Sequence, residues 1–155
     1  MSYKEKNDEI SSGHKGKAGE YLVASELLFR GFDASIMSVD VGVDLVAIKN
    51  VQTFLFQVKT ATDKGKNRYL YDIRVSSFER HNNNQTFYIF VLKGEDSNFL
   101  ILPYNILKKF IVQEIVKPNA QARYRITLIF IENQLYITNQ KNLITYYLNN
   151  WDVIC

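Results

Sequence analysis

Apolar residues change their spacing along this chain, and the change divides it into elements. From Gly13 to Arg30 they recur at helical intervals, with Val23, Ala24, Leu27 and Leu28 on one stripe. The pattern predicts a helix with Ser11 or Ser12 near its N-cap and Gly31 as its stop. Glu20 stands four residues before Ala24 and seven before Leu27, so it shares the inward face. A carboxylate there is costly unless it has a partner.

After Gly31 the segments become strand-sized. Phe32–Ser38, Val43–Ile48 and Thr53–Thr60 predict three strands, the last two joined by a turn over Lys49–Gln52. On the third strand Phe54, Phe56 and Val58 face one way, and Leu55, Gln57 and Lys59 the other. Ala61–Arg68 is polar and basic and is expected to be a mobile loop. Further strands are predicted at Tyr69–Val75, Phe87–Leu92 and Phe99–Leu102. A short helix capped by Ser76 follows the first of these, and a helix opened by Pro103 runs to about Gln113. Arg123–Ile131 and Gln134–Ile137 read as a hairpin, Asn139–Asn150 as a last helix, and Trp151 as packing its end. Residues 1–12 are charged and are expected to fray.

Composition narrows the class. A chain of 155 residues with 46% apolar residues is expected to form one domain with a real core. The net charge of +3 and a pI near 8.9 are compatible with nucleic acid without requiring it. One cysteine, Cys155, leaves no disulfide within the chain and no CxxC metal pair, and a reducing cytoplasm is the expected setting. MSYKEKNDEI has no apolar stretch of the kind a secretory leader carries, and the apolar runs are too short to span a membrane.

Four residues carry the candidate chemistry: Glu20, Asp44, Gln57 and Lys59. If the two strands pair as a hairpin, Asp44 meets Gln57 and Lys59 at one end of the sheet, and Glu20 reaches the same end from the helix. Phosphodiester hydrolysis needs a positioned water, a cation on the phosphate and a proton route. Mg²⁺ takes hard oxygen ligands and keeps several waters, so Asp44 is the best direct ligand. Gln57 offers its amide oxygen, Val58 its backbone carbonyl, and Glu20 a hold on a metal-bound water. Lys59 would orient the attacking water or stabilise charge on the phosphate. Mn²⁺ would be able to replace Mg²⁺. Lys15, Lys17, Lys64, Lys66 and Arg68 flank these elements and are candidate contacts to a nucleic-acid backbone. Asp40 is a rival ligand; His14 and His81 are read as solvated.

In order and on these elements, GKAGE ending at Glu20, VGVDLVAI with Asp44, and FQVKTA with Gln57 and Lys59 resemble the PD-(D/E)XK nuclease superfamily. Val43 stands where the pattern has proline. Gln57 stands where it has Asp or Glu, which leaves the site one negative charge short. The QxK form is similar to that of intron-encoded homing endonucleases and related small bacterial endonucleases of this fold. The resemblance implies an α/β fold: a restriction-endonuclease-like core with a mixed central β-sheet flanked by helices. The residues from Arg123 to Trp151 are then a C-terminal β-hairpin plus helix extension. It also implies a Mg²⁺-dependent, homing- or restriction-like endonuclease acting on DNA as a homodimer or homotetramer. A Holliday-junction resolvase-like nuclease is the nearer alternative. A DNA-binding module with this fold but no chemistry is the further one, and an interaction or immunity-type protein is a third.

Overall fold

A computed structural model describes residues 10–39, 42–80, 83–138 and 142–155. Ser11 caps the first helix, α1 (Ser12–Phe29), by accepting from the His14 amide at 3.2 Å. Ser11 Oγ also meets His14 Nδ1, so this histidine belongs to the cap. Arg30 and Gly31 end the helix; Gly31 sits at φ 82, a conformation glycine adopts without strain. Val23, Ala24 and Leu27 are buried, as the stripe predicted, but Leu28 is exposed.

The central sheet holds five strands in the order β1 (Asp33–Ile36), β2 (Leu45–Lys49), β3 (Gln52–Thr62), β5 (Thr86–Lys93) and β6 (Ser97–Pro103). Only the β3–β5 pair is parallel, so the sheet is mixed. The β2–β3 turn falls at the expected Lys49–Gln52, with Lys49 paired to Gln52 and both Asn50 and Val51 at positive φ (51 and 65). That two-residue turn matches the strand twist at the cost of a β-branched residue in a left-handed conformation. A second, antiparallel sheet runs β4 (Arg68–Arg74), β7 (Arg123–Ile131), β8 (Gln134–Ile137) and β9 (Asn142–Leu143). Two further helices among the described residues are α2 (Val75–Arg80) and α3 (Tyr104–Val112).

Two apolar layers hold these parts together. Val23, Leu27, Phe54, Phe56 and Val58 belong to the layer between α1 and one face of the central sheet. Tyr88, Phe90, Tyr71, Ile73, Leu107 and Ile126 belong to the layer between the other face, the second sheet and α3. The odd-numbered face of β3, with Gln57 and Lys59, therefore looks toward the second sheet.

Three expectations are corrected. The polar segment after β3 is shorter, because the strand runs to Thr62; Asp63 Oδ1 accepts from the Gly65 and Arg68 amides at 2.8 and 3.2 Å and closes the turn. α2 begins at Val75, so Ser76 lies inside it and is no cap. The helix predicted over Asn139–Asn150 is replaced, among the described residues, by β9 and a 3₁₀ turn at Thr145–Tyr147. Tertiary partners win there. The Leu135 amide donates to Thr145 Oγ1 at 2.9 Å, and Asn149 pairs with Phe99 through an amide bond and a side-chain oxygen. Ile144, Thr145 and two tyrosines offer little helix propensity against that. Trp151 is buried, but against Phe99 of β6 and not on the end of the predicted helix. Most of the segment expected to fray, together with Asp40 and His81, lies outside the described residues.

Candidate active site

β2 starts one residue after Asp44, and Asp44 is pinned from three sides. Its amide donates to the Phe56 carbonyl at 2.9 Å, and its carbonyl accepts from the Met37 amide at 2.9 Å. Its Oδ2 accepts from the Val58 amide at 2.7 Å. The carboxylate thus extends the β2–β3 pairing past the end of the ladder, which sets its position firmly. A carboxylate has about four acceptor sites, so this bond leaves room for other contacts.

Gln57 and Lys59 follow on β3, on the face away from α1. With Asp44 they line one cavity of about 340 Å³ between the two sheets. Gln57 is only 7% exposed, and its Nε2 has no hydrogen-bond partner. A buried amide left in that state costs about 1–3 kcal/mol. Because the amide oxygen and nitrogen exchange by a half-turn of the side chain, the orphaned position suits a ligand that takes the oxygen. The Lys59 side chain makes no hydrogen bond or ion pair among the described residues. Tyr88, on neighbouring β5, lines the same cavity, and burial keeps its phenol protonated well above the ordinary tyrosine range.

Glu20 comes from the opposite side of the sheet and is not among the cavity-lining residues. Gly19 brings α1 against β3. A Cβ on Gly19 would meet Thr60 Oγ1 at 1.7 Å. The next residue, Glu20, has a side chain 16% exposed and accepts from Lys17 Nζ at 2.7 Å. That hydrogen bond, then the Glu20 charge, holds the Lys17 ammonium above its ordinary value, with a smaller contribution from Asp44. Lys17 therefore lies within electrostatic reach of both carboxylates.

The donor set fits a hydrated, hard divalent cation. Asp44 brings a carboxylate and Gln57 an amide to one polar cavity, and Mg²⁺ needs one or two carboxylates beside its waters. Among the described residues no three acidic, histidine or cysteine side chains gather into an all-protein cage.

The basic residues divide. Lys15 and Lys64 line a separate groove of about 440 Å³ between the start of α1 and the end of β3. Lys17 is held by Glu20, while Lys66 and Arg68 are exposed on the loop and on the start of β4. The pattern of the sequence missed the far wall of the cavity, where Asp72, Arg74, Ser77 and Arg123 come from the second sheet and α2. Only the β4–β7 register brings Arg74 and Arg123 together, and no local signal marks it.

The sequence matches no known protein-family profile and no curated protein. The structure is similar to that of a bacterial homing endonuclease, I-Ssp6803I, with TM-score 0.65 and 18% identity over 93% of this chain and 91% of that one. It also resembles Hjc, a Holliday junction resolvase of Archaeoglobus fulgidus, with TM-score 0.48 and 16% identity over 72% of this chain and 83% of that one. A match over 93% of the chain takes in the second sheet as well as the first. Among the described residues no helix is long and apolar enough to cross a membrane. The mixed central sheet flanked by helices is shared with that homing endonuclease, and it is the fold class that the motifs implied.

Proposed function

We propose that the chain is a divalent-metal-dependent DNA endonuclease of the homing or restriction-like kind, one domain per chain. The observation that carries this reading is the meeting of Asp44, Gln57 and Lys59 in one polar cavity. The fold supports it, since the structure is similar to that of a bacterial homing endonuclease. Asp44 and Gln57 would hold Mg²⁺, with the Val58 carbonyl beside them and Glu20 acting through a water; Mn²⁺ would serve in its place. The metal supplies charge stabilisation at the phosphate. Lys59 Nζ donates to the attacking water, orients it, and offsets charge developing on the phosphate oxygens. Glu20 and Lys17 form a bonded pair on α1, beside β3, that holds the water-side carboxylate in one rotamer. Lys15, Lys64, Lys66 and Arg68 contact the backbone farther from the cut. Both strands of a duplex are cut by two copies, so a homodimer or homotetramer is the working form. The setting is cytoplasmic.

The experiment is cleavage of supercoiled plasmid and of branched DNA by wild type and Asp44→Ala, with Mg²⁺, Mn²⁺ or EDTA. Cutting is expected with either metal, abolished by EDTA, and reduced more than about a hundredfold by the substitution. Equal cutting by the variant would sink the reading. The neutral Gln57 favours one other reading, a DNA-binding module without chemistry. It predicts salt-sensitive binding with no metal-dependent turnover on any substrate.

A further inference from the structure

The cavity has a second wall that the catalytic motif does not explain. Arg74 on β4 and Arg123 on β7 line it, and the two are directly opposed partners in the antiparallel ladder. Like charges directly opposite one another destabilise such a pair. Two positions along the same face, Asp72 and Arg125 are also opposed, and they form an ion pair at 3.1 Å. The ladder thus compensates charge at one step and leaves it uncompensated at the next. Neither Arg74 nor Arg123 has a carboxylate partner among the described residues, and both are exposed. Facing them across the cavity are Lys59 and the buried, unpartnered amide nitrogen of Gln57.

We propose that Arg74 and Arg123 form a clamp for a backbone phosphate of the DNA strand that enters the Asp44–Lys59 cavity. The inference rests on the nuclease reading and assigns the second sheet a binding role in it. A guanidinium presents a rigid fork of donors that fits a phosphate bidentately. Two forks held opposite each other by the β4–β7 ladder have one natural occupant, an anion between them. The phosphate then relieves the repulsion that the register imposes. Because the clamp touches phosphate and not base edges, it positions the strand without reading its sequence.

The test is duplex binding in EDTA, where the metal-dependent cut is silent, measured against salt concentration. Arg74→Ala and Arg123→Ala are compared with Lys108→Ala, which removes the same charge from the exposed side of α3. Each arginine variant is expected to weaken binding about tenfold. Each should also lower the slope of log K against log salt by about 0.9, the loss of one phosphate contact. Arg74→Lys is expected to recover the slope and only part of the affinity. Urea unfolding should show both alanine variants at least as stable as wild type, since an opposed like-charge pair is gone. If the arginine variants bind as Lys108→Ala does, or if wild type shows no salt-dependent binding, the clamp is overturned. The two ideas fail separately. Cleavage that depends on Asp44 upholds the nuclease whatever the arginines do, and a lost slope upholds the clamp even in a protein that never cuts.

Discussion

Gln57 brings a neutral amide to a cavity where Asp44 brings a carboxylate. Its identity was plain in the sequence; its burial was not, because alternation on a strand says which face a residue takes but not what covers that face. β4 and β7 cover it, and that packing comes from far along the chain. Metal affinity in oxygen sites follows the count of charged ligands. Gln57→Glu adds the missing charge without changing the length of the side chain. The Mg²⁺ concentration for half-maximal cleavage is expected to fall about tenfold or more. In EDTA the same variant should unfold at lower temperature than wild type, since a buried carboxylate then joins Asp44 in the cavity with no cation between them. Added Mg²⁺ should reverse that loss. An unchanged metal requirement together with unchanged stability would remove Gln57 from the metal site.

At the scale of elements, the fit of α1 on β3 decides how Glu20 approaches the sheet. Gly19 within a helix would ordinarily gain about 1 kcal/mol on change to alanine. Here the new Cβ would lie 1.7 Å from Thr60 Oγ1 and 3.0 Å from Thr60 Cβ. Overpacking of that kind costs about 1–3 kcal/mol, so the clash outweighs the propensity. Gly19→Ala is expected to lower stability in urea, and Thr60→Ala, which deletes the oxygen, to recover part of the loss when combined with it. The coupling should be non-additive because the two residues touch. A stabilised Gly19→Ala would show that the helix rides free of the strand. Elements whose reasons are local were legible in the sequence. α1 carries its own cap and stop, and β7–β8 carries its own turn at Glu132 and Asn133, both at positive φ. The segment from Asn142 to Asn150 was illegible because side-chain and backbone bonds to Leu135 on β8 and to Phe99, fifty residues before Asn149, override its local pattern. The charged register of β4 against β7 was hidden for the same reason.

For the whole molecule, the proposed endonuclease reading asks how one Asp44–Lys59 cavity in each copy would serve a duplex with two strands. α1 carries apolar side chains outward as well as inward. Its inner stripe is buried on the central sheet, while Tyr21, Leu28 and Phe29 stand exposed, Phe29 at 88%. With Ala24 and Ser25 they line a shallow groove. Exposed apolar residues grouped on one helix mark a contact surface more often than scattered ones do. A second copy meeting the same face would form an isologous pair, and two cavities related by a two-fold axis suit the symmetry of the two DNA strands. Phe29→Asp places a charge in the centre of such a contact and touches nothing in the cavity. Light scattering is expected to give a dimer or tetramer for wild type and a smaller species for the variant. On supercoiled plasmid the wild type should yield linear product directly, and Phe29→Asp should stop at nicked circles, since each site still works but no longer has its partner across the duplex. An unchanged mass with unchanged linear product would move the interface elsewhere on the surface. A monomeric wild type that still linearises plasmid would overturn the two-copy arrangement itself.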